Sequence, residues 1–190
     1  MTASESGISF SSEKLASLKH LNGVINEALR LYPVVPTATY RKAPPEGILI
    51  GGTFIPGGTD VWAPQYALGR SEDIYSQPNR FLPERWYKYP DWVKDPTAFA
   101  PFLTGISLTT CLPYYWKNGF ADMAHVAGPF SCIGRPLALQ NIRSTVCKLV
   151  CTFDLAFPPG EDGSTFEQGI RDRWVLGVPE LRLVPIKRVS

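Results

Sequence analysis

SCIGRPLALQNIR, residues 131–143, sets a cysteine a few positions ahead of an apolar, periodic run. Leu137, Ala138, Ile142, Leu149, Val150 and Phe153 supply the apolar positions of a long helix reaching about Thr152, and Pro136 lies near its start, where a missing N–H is tolerated. Cys132 therefore precedes a helix N-terminus. Unpaired amide N–H groups and the positive helix end favour a thiolate over a thiol at such a place. Gly134, lacking a side chain, lets something flat approach the backbone. Two readings of Cys132 stand at this point: an axial thiolate ligand for heme iron, or an ordinary buried cysteine. Cys147 and Cys151, four apart inside the helix, read as core residues.

Composition narrows the field without deciding it. The chain has 190 residues, 44% of them apolar, enough for one core and one domain or part of one. Lys+Arg 19 against Asp+Glu 17 leaves a net charge of +2, which gives no footing for a nucleic-acid partner. No CxxC pair occurs and His20 and His125 are isolated, so neither a zinc site nor a disulfide scaffold has the spacing it needs. No apolar run approaches a membrane span, and no secretory signal follows Met1.

Outward from the cysteine, the chain divides by pattern. Residues 1–11 are polar and read as a loose N-terminus. Ser12 can cap a helix from about Glu13 to Tyr32, stopped by Pro33, with Leu18, Leu21, Ile25, Ala28, Leu29 and Tyr32 as its buried stripe. Glu27 and Arg30, in NEALRLYP at 26–33, share one side of that helix at spacing i, i+3. Alone, such a pair is most simply a solvated surface pair. ATYRKA, GILIGGTFI and TDVWAP are short β-prone runs that predict a small hairpin sheet, and a helical turn is expected over 67–75. The Pro- and aromatic-rich stretch 76–102 reads as an ordered meander, since flexible linkers lack its Trp and Phe content. WVLGVPELRLVPI, 174–186, predicts C-terminal strands.

NEALRLYP, then LPERW at 82–86, then SCIGRPLAL resembles, in that order, the C-terminal part of a cytochrome P450, the heme-thiolate monooxygenase family. The match runs from about Leu18 to the C-terminus. It implies an α+β, mainly helical architecture over 12–190: an ExxR helix, a small hairpin sheet, a meander, a cysteine-ligand loop, a long helix and terminal strands. Within that pattern Glu27, Arg30 and Arg85 would form the family's structural Glu-Arg-Arg cluster, and no residue is assigned a catalytic role. Cys132 would be the axial heme-iron ligand, with Phe102, Gly105 and Gly134 shaping the loop around it, and Arg41 would meet a heme propionate.

The family's ligand motif reads F-x-x-G-x-R-x-C-x-G. Read directly, it fails, because His125 stands three before Gly128 where Phe belongs. Omitting residues 106–128 joins Gly105 to Pro129 and gives AFAPFLTGPFSCIGRPLAL, in which Phe102, Gly105, Cys132 and Gly134 fall on family positions. Phe130 remains where Arg or His is usual, which removes a propionate contact and bears on heme affinity but not on ligand identity. The omitted run is a whole number of codons, Gly-Ile and Ala-Gly at its borders can encode intron-type boundaries, and a retained intron or gene-model artefact is the favoured reading. The competing reading is a genuine surface insertion. Loop entropy allows it, since growth from about 7 to about 30 residues costs only roughly 1–1.5 kcal/mol. Extruding Tyr114, Tyr115 and Trp116 from a packed loop, however, would expose a large apolar patch.

The resemblance further implies heme as cofactor, a reductase as redox partner and an apolar small-molecule substrate. The segment 34–39 would line the substrate pocket, and Arg135, Arg143 and Lys148 would present positive charge to the reductase, ordinary solvated charges being the alternative. The family's oxygen-activating motif does not precede Leu18 in these residues, so the chain alone is expected to be inactive. Full-length eukaryotic relatives are usually anchored at the endoplasmic reticulum by an N-terminal helix that this sequence does not contain. Two other readings remain: a non-catalytic remnant, and a heme-binding or interaction module of another class.

Overall fold

The structure, a computed structural model, describes residues 11–37, 41–103 and 131–187. It opens on two helices, α1 (Ser12–Ser17) and α2 (Lys19–Leu31), where the sequence predicts one. The interruption is at Leu18, whose backbone is extended (φ −74°, ψ 96°). Asn22 bridges the break: its side-chain amide nitrogen donates to the carbonyls of Leu15, Ala16 and Leu18 at 3.2, 3.0 and 2.7 Å, while the Leu18 carbonyl also keeps its helical bond from the Asn22 backbone amide at 3.0 Å. The N-cap is Ser11, whose hydroxyl accepts from the Lys14 amide, rather than Ser12.

Burial on α2 also departs from the predicted stripe. Leu18 is exposed, and the buried positions are Gly23, Ile25, Glu27, Arg30 and Leu31, so the ion pair lies on the inner face. Gly23 permits this packing: a Cβ there would stand 2.7 Å from the Pro83 carbonyl oxygen, so only glycine lets α2 meet the turn at Pro83–Trp86.

Beyond Pro33 the chain forms two short antiparallel ladders. β1 (Arg41–Lys42) pairs with β4 (Asp60–Val61), and between them the hairpin β2 (Ile48–Ile50) and β3 (Thr53–Ile55) turns on Gly51 and Gly52, at φ 56° and 82°. Two successive residues at positive φ make a two-residue hairpin turn, for which glycine is the natural choice. The predicted helical turn is α3 (Gln65–Leu68), ending earlier than the 67–75 expected. The meander contains three 3₁₀ turns, Pro83–Trp86, Pro90–Trp92 and Pro96–Ala98, each opened by a proline whose fixed φ suits a first helical position.

The long helix, α4 (Arg135–Thr152), begins and ends as predicted. Its packing does not follow the prediction: it has no fully buried residue, Leu137, Leu149 and Val150 are exposed, Cys147 is half-buried and Cys151 is exposed. Neither cysteine is a core residue, because the described residues leave much of this helix uncovered. One tie to the front of the chain is polar, the Arg143 Nε donating to Asn22 Oδ1 at 2.8 Å.

The C-terminal region holds more than strands. β5 (Phe153–Ala156) pairs antiparallel with β8 (Val184–Lys187), and between them come α5 (Ser164–Gly169), which the sequence reading does not include, and the hairpin β6 (Arg171–Arg173)–β7 (Val175–Gly177). This hairpin returns to the segment after α2. The Leu176 amide donates to the Val34 carbonyl at 2.8 Å, the Thr37 hydroxyl to Asp172, and the Tyr32 hydroxyl to Glu167 at 2.5 Å. Burial pushes the Tyr32 phenol up to about 12, with the Glu167 hydrogen bond acting in the same direction. Among the described residues no helix is long and apolar enough to cross a membrane.

Candidate functional site

Two centres hold the residues singled out in the sequence. At the first, Glu27, Arg30 and Arg85 are brought together with almost no solvent contact (0%, 2% and 1% exposed). Helix α2 places Glu27 and Arg30 one turn apart, and the 3₁₀ turn at Pro83–Trp86 swings Arg85 over them. Arg30 grips the carboxylate in a fork, Nε to Oε2 at 3.0 Å and Nη2 to Oε1 at 2.8 Å, and Arg85 Nε donates to both oxygens at 3.0 and 3.1 Å. The Leu82 amide and the Trp86 indole N–H also donate to Glu27, at 2.8 and 2.9 Å. A surface pair is excluded by this burial.

The second positive charge is spread over backbone carbonyls. Arg30 donates to Gly69, to Pro78 at 2.7 Å and to Arg80 at 3.1 Å; Arg85 donates to Ser76 at 2.9 Å, Gln77 at 3.3 Å and Trp92 at 3.4 Å. The Tyr75 ring lies 4.9 Å from the Arg30 guanidinium carbon and 5.8 Å from that of Arg85, and burial pushes its phenol up to about 12. Two guanidiniums thus gather the carbonyls of a chain with little regular structure and hold it against α2. For Glu27 burial alone would raise the carboxyl, but the hydrogen bonds from Arg30 and Leu82 and the two positive charges win, holding it below its ordinary value. The void beside Arg30 and Tyr75 measures about 10 Å³, room for a water and for no substrate.

Trp86 is the member that sequence reasoning missed. It follows Arg85 directly in LPERW, but only the folded turn shows that its N–H meets Glu27.

At the second centre Cys132 is exposed, which removes the buried-cysteine alternative. Its amide donates to the Phe102 carbonyl at 2.9 Å, and its carbonyl accepts from the Arg135 amide at 3.2 Å as α4 begins at the Gly134 N-cap. The Arg135 guanidinium carbon lies 5.9 Å from the Phe102 ring centroid. A Cβ at Gly134 would stand 3.7 Å from the Cys132 sulfur, so the glycine leaves one side of the thiol open. Ile133 is 99% and Leu137 63% exposed, so the apolar residues that follow the cysteine in the chain are uncovered. A soft sulfur donor at a helix N-terminus, bordered by open apolar surface and a glycine, fits a flat apolar macrocycle carrying a thiolate-seeking metal.

The remaining predicted residues are placed less directly. Arg41 stands on β1 opposite Val61, half-buried. Gly105, Phe130 and the anomalous run 106–128 lie outside the described residues. Of the predicted basic set, Arg143 is committed to Asn22 rather than free on the surface. The Val34 side chain is exposed while its carbonyl and the Thr37 hydroxyl bond the β6–β7 hairpin, and the Pro36 carbonyl accepts from the Tyr66 amide at 3.0 Å.

The family model described as Cytochrome P450 matches residues 2–111. Tryprostatin B 6-hydroxylase of Aspergillus fumigatus is 45% identical over 176 residues, 93% of this chain and 27% of that protein. Cytochrome P450 monooxygenase notG' of Aspergillus versicolor is 43% identical over 176 residues, again 93% of this chain and 28% of that protein. The chain therefore spans little more than a quarter of the length of these curated relatives. Among solved structures, the cytochrome P450DA heme domain superposes with a TM-score of 0.70 at 20% identity, over 97% of this chain and 34% of that one, a likeness of fold.

Proposed function

This chain belongs to the cytochrome P450 family, and on that premise we propose that it forms the heme-holding part of a heme-thiolate monooxygenase, in which the Cys132 thiolate would hold the iron. The carrying observation is the hydrogen bond from the Cys132 amide to the Phe102 carbonyl, which sets an exposed thiol beside the phenylalanine of the ligand motif. Heme bound through a cysteine thiolate supplies oxygen activation, electron donation from sulfur favouring O–O cleavage. The chain's own residues contribute position. α4 begins just after the cysteine and brings its positive end near the sulfur, Gly134 keeps the approach open, Phe102 shapes the near side, and Arg41 would supply a cation for a propionate. The buried cluster of Glu27, Arg30, Arg85 and Trp86 fixes the meander that leads into Phe102.

Three further elements belong to the same proposal. The substrate is an apolar small molecule met by the segment 34–39; two of the relatives carry names that refer to hydroxylation of tryprostatin B, which is consistent with that class. A reductase supplies electrons on the Cys132 side, where Arg135 stands. Oxygen insertion also needs the family's oxygen-activating motif, which is not among these 190 residues, so these residues alone hold heme without turning over.

Residues 106–128 are proposed to be foreign to the ligand loop, as a retained intron or gene-model artefact. The family match running out at residue 111 and the direct bond between the two flanks, Phe102 and Cys132, support this.

Heme titration of the chain followed by the ferrous carbon-monoxide spectrum tests the ligand assignment. A thiolate-type Soret band that vanishes in Cys132→Ser is the expected result. A stoichiometric complex without that band would favour a heme-binding module of another class, and no binding with or without residues 106–128 would favour a non-catalytic remnant.

A further inference from the structure

Cys147 and Cys151 have no part in the site described above. They lie four apart on α4, hence one turn apart on the same helix face, with Cys147 half-buried and Cys151 exposed. Among the described residues no group of three or more His, Cys, Asp or Glu side chains is arranged to hold a metal ion, so a tetrahedral zinc centre has no ligand set at this pair. Helix geometry limits the remaining chemistry. Cβ atoms at i, i+4 stand about 5–6 Å apart, whereas a disulfide needs about 3.5–4.5 Å. A direct S–S bond would require the turn to unwind, while one atom inserted between the sulfurs spans the gap with the helix intact.

We propose that Cys147 and Cys151 form a dithiol site on α4 that is bridged by one thiophilic atom, of which a trivalent organoarsenical is the test ligand, and that resists closure to a disulfide while the helix persists. With an arylarsenic(III) oxide the two S–H bonds and the bonds from arsenic to oxygen break, two As–S bonds form, and the oxygen leaves as water with both thiol protons. No electrons are exchanged. Burial pushes the Cys147 thiol up from its ordinary value.

The test uses the full 190-residue chain as Cys111→Ser/Cys132→Ser, so that only this pair reports, with phenylarsine oxide as the probe. One equivalent should be retained, with the far-ultraviolet helix signal undiminished. Trypsin cuts after Arg143, Lys148 and Arg171, so peptides 144–148 and 149–171 should remain joined through arsenic and separate on adding 2,3-dimercaptopropanol. Cys147→Ser and Cys151→Ser should each lose at least tenfold in retention. Equal retention in either single variant, absence of the joined peptides, or a diamide-induced 147–151 disulfide formed at full helix signal would each overturn the proposal. Heme binding plays no part in these readouts, so they stand apart from the assignment of Cys132.

Discussion

The Cys132 amide donates to the carbonyl of Phe102 at 2.9 Å, joining two residues that the sequence separates by the anomalous run. A backbone hydrogen bond therefore ties together the described residues on either side of that run. A deletion that joins Gly105 to Pro129 should keep this contact and raise stability by about 1–1.5 kcal/mol through the shorter loop. It should also increase the yield of the thiolate-type carbon-monoxide complex. Equilibrium unfolding and heme titration of the two chains side by side decide it, and a deletion that lowers both would identify the run as part of the fold. Sequencing the mature transcript across the same junction separates a missed splice from a true insertion.

Because Cys132 is exposed, Cys132→Ser should change apo stability by less than about 0.5 kcal/mol. Loss of the thiolate-type spectrum with an unchanged urea midpoint is the expected pair of results. A large fall in the midpoint would mean that the sulfur packs rather than ligates.

Removing Glu27 leaves two guanidiniums buried without their carboxylate. Glu27→Ala should cost about 3–5 kcal/mol and abolish heme incorporation. Trp86→Phe, which deletes one hydrogen bond to the same carboxylate, should cost about 1.5–2 kcal/mol. Urea unfolding ranks the two. An unaffected Trp86→Phe chain would show that the arginines and the Leu82 amide suffice to satisfy Glu27.

The same carboxyl sets an acid limit. Glu27 is held below its ordinary value of 4.5, so the unfolded chain takes up a proton at a higher pH than the folded one. Its contribution is complete above about 4.5 and is lost as pH falls through the lower folded value. Unfolding midpoints measured downward from pH 6 should stay level in this respect until that region and then drop, and Glu27→Gln should flatten the drop.

Asp172 joins two elements, accepting from the Thr37 hydroxyl and from the Trp174 amide at 3.0 Å, the latter residue sitting at φ 74°. Asp172→Ala should speed amide exchange in β6 and β7 about two- to tenfold, the range for one or two hydrogen bonds, and leave α2 unchanged. Uniform acceleration throughout the chain would instead mark Asp172 as part of the global fold.

Much of the architecture could be read from residues 26–33, 82–86 and 131–139, because local chemistry fixes them. Periodic apolar residues and a proline near its start define α4, paired glycines define the β2–β3 turn, and prolines open the meander's 3₁₀ turns. The residue types at Glu27, Arg30, Arg85 and Cys132 were likewise legible. Their burial was not. Helical spacing alone assigned Glu27 and Arg30 to the surface, and only the approach of Pro83–Trp86 and the carbonyls of 69–92 made an interior charge cluster affordable. Leu18 and Cys151 went the other way, apolar or neutral by type yet exposed, since a side chain is buried only if something packs over it. The sequence determined which elements form and which residues could carry charge or bind iron. The tertiary structure decided which of them meet, because desolvation and hydrogen-bond partners come from segments far apart along the chain.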